Sequence, residues 1–330
     1  MLDREAFLRP IAHRGLHGPP GGGAIENTVR AFDAAILRGY GIECDLRPGK
    51  DGLPLVFHDA TLDRLVAGTG DVARLAADDL AALAFKDDAA ARIPTFADLC
   101  AMTAGRVPLL VEIKSEWAPP DRTFLGRIAD IASAYAGPLA LMSFDPAVMT
   151  VMRTLAPAVP RGIVSGDYMR AADGDDHWWA DRLDRARAER LTHLLESGPA
   201  EPSFYSYDVR ALPTLVTRYV RDVQGLPLLT WTVRTEADVS VTRAHADAPT
   251  FEGFLPSPAT ALALRAYRPT LSFRVAQDGT PHAWQSRRQI PLPNRRCRFT
   301  RALWMSTRTP GIASPTRIRR RSIRSSRTPS

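Results

Sequence analysis

Three cysteines, Cys44, Cys100 and Cys297, are too few and too scattered to form a disulfide framework. They make no CxxC pair, so a thiolate zinc site is not expected either, and a reducing, cytoplasmic setting is. No apolar run approaches the roughly 20 residues that span a bilayer. The opening MLDREAFLRPIAHRG places acids ahead of any basic cluster and has no apolar centre, so it does not read as a secretory signal. A G-x-S-x-G elbow, a Walker loop and a G-x-G-x-x-G after the first apolar run are all missing. Their absence removes the commonest cues for acyl transfer and for nucleotide binding.

Charge is unevenly spread. Of 43 Lys and Arg residues, 15 fall in residues 268–330, all arginine, against one acid there, Asp278. The preceding 267 residues hold 28 bases and 35 acids, so the body is mildly acidic and the overall pI says nothing for nucleic-acid binding by it. Residues 268–330 lack periodicity and are rich in Arg, Pro, Ser and Thr, which predicts a disordered, solvated tail. Attraction to acidic surfaces is the most its charge offers. Aromatic interleaving stops at Phe299 and Trp304, so no specific nucleic-acid partner is expected.

What the body does have is alternation. Short β-rich runs at 10–13, 41–46, 54–57, 108–113, 139–143, 161–165, 203–207 and 228–233 are followed by segments of helical period. Those helices are expected at 28–38, 95–103, 121–135, 146–155, 179–195, 211–223, 236–245 and 259–266, with Asn27, Asp145 and Thr235 as caps. Strand and helix alternating this way, eight times, predicts an α/β fold of the TIM (β/α)8 barrel type over residues 1–267. Residues 47–94 exceed a bare barrel and read as a small insertion after the second strand.

Informative residues sit where strands end. Side chains alternate along a strand, so Glu43 and Asp45 face one way and Cys44 the other; Glu112 and Lys114 share a face, with Ile113 opposed. At C-terminal strand ends of a barrel these charges point into the mouth, where barrel enzymes place their chemistry. Three carboxylates converging there repel unless a cation sits among them, and oxygen-only ligation selects a hard divalent ion, Mg²⁺ or Ca²⁺. His13 and His58 could flank a substrate, one taking a proton and the other giving one. Arg14 and Lys114 supply positive charge for phosphate oxygens. The set describes metal-assisted phosphoryl transfer better than acyl chemistry. Trp231 reads equally as core or as a substrate wall, and His17 as core or surface without a partner.

The ordered series His13-Arg14-Gly15, Glu26-Asn27-Thr28, Glu43-Cys44-Asp45, Asp51-Gly52, His58-Asp59 and Leu62-Asp63-Arg64 resembles the glycerophosphodiester phosphodiesterase family. Glu112-Ile113-Lys114 and Trp231-Thr232-Val233 are similar to it as well. The likeness covers most of residues 9–265 and is densest over 9–115. It implies His13 and His58 as the acid–base pair, Glu43, Asp45 and Glu112 as ligands of one divalent cation, and Arg14 and Lys114 as phosphate contacts. Asn27 and Trp231 complete the substrate contacts it implies. Gly253-Phe254-Leu255-Pro256-Ser257-Pro258 departs from the family's closing Gly-x-x-Thr-Asp-x-Pro, lacking the threonine and aspartate.

The implied reaction is hydrolysis of a glycerophosphodiester, a small-molecule substrate, to glycerol 3-phosphate and an alcohol such as choline or ethanolamine. His13 is read as base and His58 as acid, with water or the substrate's own 2-hydroxyl as nucleophile. Two other readings stand beside it: a phospholipase D-like barrel acting on lysophospholipids, and a catalytically silent barrel used for binding. The released alcohol, the choice between Mg²⁺ and Ca²⁺ and the oligomeric state stay open at this level.

Overall fold

The computed structural model describes residues 1–170 and 182–256. Eight parallel strands close on themselves: β1 (Ile11–Ala12), β2 (Gly41–Pro48), β4 (Leu109–Ile113), β5 (Leu139–Ser143), β6 (Arg161–Ser165), β7 (Phe204–Asp208), β8 (Leu228–Val233) and β9 (Ala248–Phe251). β1 pairs with both β2 and β9, which completes the ring. β3 (Pro54–Val56) lies outside it, antiparallel to β2. Around the strands run α2 (Val29–Leu37), α4 (Phe96–Thr103), α5 (Arg122–Ala134), α6 (Pro146–Leu155), α7 (Arg185–Thr192), α8 (Leu215–Arg218) and α9 (Glu236–His245); α1 (Arg4–Phe7) precedes them and α3 (Ala77–Leu80) follows β3. Among the described residues, no helix is long and apolar enough to cross a membrane.

Two apolar layers explain why the strands read as nearly unbroken hydrophobic runs. Outward-facing Ile42, Cys44, Leu46, Val111 and Ile113 pack against Phe32, Phe96, Leu125 and Ile128 of the helices. Inward-facing Ile11, Leu110, Ala140, Val164, Phe204, Leu229 and Ala248 form a separate cluster with Leu2, Ala6 and Phe7. The short α1, capped by Asp3 Oδ1 accepting from Ala6 N at 3.1 Å, thus seals the ring on the side away from the strand ends. Each large side chain buried this way contributes about 1.5–3 kcal/mol.

Gly162 sits inside that inner layer, and a Cβ placed on it would come within 2.2 Å of the Phe204 ring. Phe204 is fully buried and has little room to move. Gly162→Ala is expected to lower unfolding stability by about 1–3 kcal/mol, read from urea denaturation midpoints.

The barrel expected from alternation is present, with one strand misassigned. The run at 54–57 is the outlying β3 rather than a ring member, and the closing strand is β9, which was not expected. Pro249 in its middle argues against a strand, because proline offers no N–H to a ladder; here Pro249 pairs in register with Thr230. Trp231 therefore stands on the seventh ring strand, not the eighth. The cap of α2 is Thr28, whose side chain accepts from Ala31 N, and not Asn27. Asp145 and Thr235 cap α6 and α9 as expected. The helix expected at 211–223 is broken into a 3₁₀ turn, α8 and a π turn. The helix expected at 259–266, the tail 268–330 and the start of the helix expected at 179–195 lie outside the described residues.

Residues between β2 and α4 carry their own apolar cluster, Leu55, Phe57, Leu62, Val66, Val72, Leu80, Phe85 and Ile93. The segment is tied to β2, with Phe57 N donating to Asp45 O at 3.0 Å. The next residue is His58.

Candidate active site

The strand ends surround a cavity of about 460 Å³ lined by His13, Arg14, Glu43, His58, Glu112, Lys114 and Trp231 among others. Each reaches it through local structure that the sequence encodes. After β1 the chain turns sharply: Arg14 has φ 52° and Gly15 φ 77°. A Cβ at Gly15 would lie 2.9 Å from the Ala31 carbonyl carbon, so only glycine lets the turn press against α2. The turn aims Arg14 N at Glu43 Oε2, 2.9 Å away. Arg14 also reaches Glu26 Oε1 at 2.8 Å and Asp45 Oδ2 at 3.3 Å.

Glu43, Asp45 and Glu112 converge with ligand atoms within 4.8 Å of one another. All three are buried, Glu43 and Asp45 to 1% exposure. Lys114 Nζ lies 2.7 Å from Asp45 Oδ1 and 2.6 Å from Glu112 Oε1. Burial and the neighbouring Asp45 and Glu112 charges push the Glu43 carboxyl well above its usual range. Burial opposes ionisation of Asp45 too, but Lys114, His58 and Arg14 outweigh it and hold that carboxyl down. Burial would discharge Lys114, yet Asp45 and Glu112 keep its ammonium favoured. Three buried carboxylates crowded together, one of them driven towards neutrality by its neighbours, fit a hard divalent cation.

Lys114→Met would leave Glu112 buried without its ammonium partner and Asp45 with Arg14 alone among its ion-pair partners. The metal-free variant is expected to lose about 3–5 kcal/mol of stability in urea titrations. A loss below about 1 kcal/mol would mean the pair is already compensated by other groups.

His13 and His58 both line the cavity, and each has a carboxylate on Nδ1. His58 Nδ1 lies 2.7 Å from Asp59 Oδ1, and His13 Nδ1 lies 2.5 Å from Glu252 Oε2. A carboxylate accepts, so Nδ1 donates in both rings and Nε2 is the atom left to exchange protons. Burial lowers the His13 pKa, outweighing the stabilising hydrogen bond to Glu252. Arg64 links the two sides: its guanidinium donates to Asp59 at 2.6 Å and to Glu26 at 2.6 Å, and Glu26 in turn holds Arg14. That network gives the Leu-Asp-Arg stretch at 62–64 a physical task.

Asn27 is placed differently from expectation. It is 1% exposed and is not among the cavity's lining residues. Its Nδ2 donates to Asp45 Oδ2 at 2.8 Å, so its amide is turned to the carboxylate cluster. Trp231 does line the cavity, edge-on to Phe144 with ring centroids 5.2 Å apart. His17 has a neighbour after all, with Nε2 3.8 Å from Glu252 Oε2. Glu252, Asp208, Arg210 and Arg234 were missed by sequence reasoning. Alternation along β9 would have placed Glu252 on the inner face with Thr250, had that strand been recognised.

Comparison with known proteins gives the family. The model of the "Glycerophosphoryl diester phosphodiesterase family" matches residues 13–248, a span reaching from the first histidine into β9. The chain belongs to that family. A Mycobacterium tuberculosis relative of this glycerophosphodiester phosphodiesterase family member, named as a probable glycerophosphodiester phosphodiesterase 1, is 25% identical over 258 residues, 71% of this chain and 84% of its own. YhdW of Bacillus subtilis is 28% identical over 166 residues, 47% of this chain and just under two thirds, 65%, of its own length. Among solved structures, an Oleispira antarctica phosphodiesterase in complex with the product sn-glycerol-3-phosphate superimposes with a TM-score of 0.57 at 21% identity, covering 75% of this chain and 94% of that one. That likeness concerns the fold.

Proposed function

We propose that this family member hydrolyses glycerophosphodiesters to glycerol 3-phosphate and an alcohol, using His13 and His58 as the acid–base pair. The observation that carries the reading is that two histidines, each with Nδ1 engaged by a carboxylate, open onto one cavity with a buried three-carboxylate cluster beside it. The Oleispira relative's product, sn-glycerol-3-phosphate, is of the size and charge that this cavity's Arg14 and Lys114 would hold.

In this reading Glu43, Asp45 and Glu112 hold one divalent cation, Mg²⁺ or Ca²⁺. Bound there, it would polarise a phosphoryl oxygen and lower the pKa of a hydroxyl beside it. Arg14 and Lys114 bind the remaining phosphate oxygens and position the diester. His13 takes the proton from the nucleophile as the new O–P bond forms; water gives glycerol 3-phosphate directly, whereas the substrate's own 2-hydroxyl gives a cyclic phosphate that a water molecule then opens to glycerol 3-phosphate. His58 gives a proton to the departing alcohol oxygen as its O–P bond breaks. Each proton transfer contributes about 10²–10⁴-fold. Asn27 positions Asp45, and Trp231 forms a wall of the cavity.

A second reading draws on a second cavity. A groove of about 350 Å³ adjoins the first, sharing Arg47, Lys114 and Ser115, with Val72, Phe124, Leu125 and Val148 along its wall. An apolar wall beside the phosphate-binding charges suits the acyl chain of a lysophospholipid. Release of choline from glycerophosphocholine and from lysophosphatidylcholine, compared as kcat/KM, separates the two. Faster turnover of glycerophosphocholine is the expected result. A preference for the lysolipid would move the substrate class, and release from neither would leave the chain a binding protein.

A further inference from the structure

We propose that Glu252 is a positioning residue for His13: its carboxylate fixes the ring's orientation and tautomer, so that Nε2 alone faces the reacting centre. This rests on the reading of His13 as proton acceptor.

Glu252 follows β9 and shares its inward face with Ala248 and Thr250. Its backbone N–H donates to Val233 O at 3.1 Å, which anchors it to β8. Both carboxylate oxygens are engaged: Arg234 Nε donates to Oε1 at 2.6 Å, and His13 Nδ1 lies 2.5 Å from Oε2. Partners at both oxygens restrict the carboxylate's rotation. Being an acceptor only, it requires the hydrogen on Nδ1 and leaves the Nε2 lone pair bare. That nitrogen stands 3.9 Å from Glu43 Oε2, beyond hydrogen-bond range, beside the carboxylate cluster. Without Glu252 the ring can carry its hydrogen on Nε2 instead. It then presents a donor where an acceptor is needed.

His58 obtains the same service locally, from the adjacent Asp59. For His13 the partner comes from 239 residues away, across the seam where β9 meets β1. His13 N donates to Phe251 O at 2.9 Å across that seam, so the backbones that carry both side chains are tied together. Closure of the barrel is what aligns the first histidine.

The test uses the full chain, ¹⁵N-labelled, as wild type, E252A, E252Q and E252D. Long-range ¹H–¹⁵N spectra of the neutral ring report the His13 tautomer, and kcat and KM are measured on glycerophosphocholine. Wild type and E252D are expected to show His13 with hydrogen on Nδ1, and E252A and E252Q to lose that single tautomer. In E252A kcat falls about 10²-fold with KM within about threefold, and E252D recovers part of the loss. An unchanged Nδ1–H tautomer in E252A and E252Q, or kcat within about threefold of wild type, overturns the proposal. Should E252A fail to fold, the isosteric E252Q decides by the same two readouts. A wild type that turns over no glycerophosphodiester would sink the functional reading instead, while the tautomer comparison still decides the role of Glu252.

Discussion

His13→Ala is expected to lower kcat/KM on glycerophosphocholine by about 10³-fold, within the range that a positioned acid–base group supplies. The melting temperature should move little. His13 contributes no apolar packing to either barrel layer, and its loss does not strand Glu252, which keeps its ion pair with Arg234 at 2.6 Å. The substitution removes one proton acceptor and leaves the cavity wider. A kcat/KM within about tenfold of wild type would exclude His13 from proton transfer, whatever its geometry suggests. His58→Ala should lose a comparable factor, because the two rings serve opposite ends of the same displacement. The double substitution should cost far less than the product of the two, since groups acting as one unit are non-additive.

Glu43→Gln should separate the two things the carboxylate cluster does. Metal-free, the variant is expected to be as stable as wild type or more so. Burial and the charges of Asp45 and Glu112 already disfavour the ionised Glu43, and the amide carries no charge to repel. With a divalent cation the order reverses. Wild type gains about 2.7 kcal/mol when the ion is present at about one hundred times its dissociation constant, a rise of roughly 5–10 °C in a domain of this size. The variant, one anionic ligand short, should show little of that rise and lose about 10³-fold in activity. Differential scanning calorimetry with and without Mg²⁺ or Ca²⁺ reads both effects. An unaltered metal-dependent rise in Glu43→Gln would remove Glu43 from the ligand set.

Much of this site is legible from alternation alone. β2 and β4 each place two charged residues on one face, and the structure brings Glu43, Asp45, Glu112 and Lys114 together as that parity requires. β5, β6, β8, α6 and α9 begin and end where the runs of apolar residues and the caps place them. Most of what escaped detection depends on partners distant in sequence. Pro249 disguises β9, and with β9 hidden nothing in the local pattern connects Glu252 to a histidine 239 residues earlier. Asn27 reads as a cap because asparagine caps helices; only the fold reveals that Asp45 claims its amide while Thr28 caps α2. Asp59, adjacent to His58, could have been paired with it by proximity. The Arg64 bridge from Asp59 to Glu26 spans 38 residues on its longer arm and is visible only once the 47–94 segment is folded over the site.

The most direct test of metal-assisted glycerophosphodiester hydrolysis is release of glycerol 3-phosphate from glycerophosphocholine by the purified full chain. It is run with Mg²⁺, with Ca²⁺ and with excess chelator, beside His13→Ala and Glu43→Gln. For metal-assisted hydrolysis through His13 and Glu43 the expected result is turnover that chelator abolishes, that one of the two ions restores, and that both substitutions remove. Folded wild-type protein that releases no glycerol 3-phosphate with either ion, or releases it equally in chelator, would contradict it.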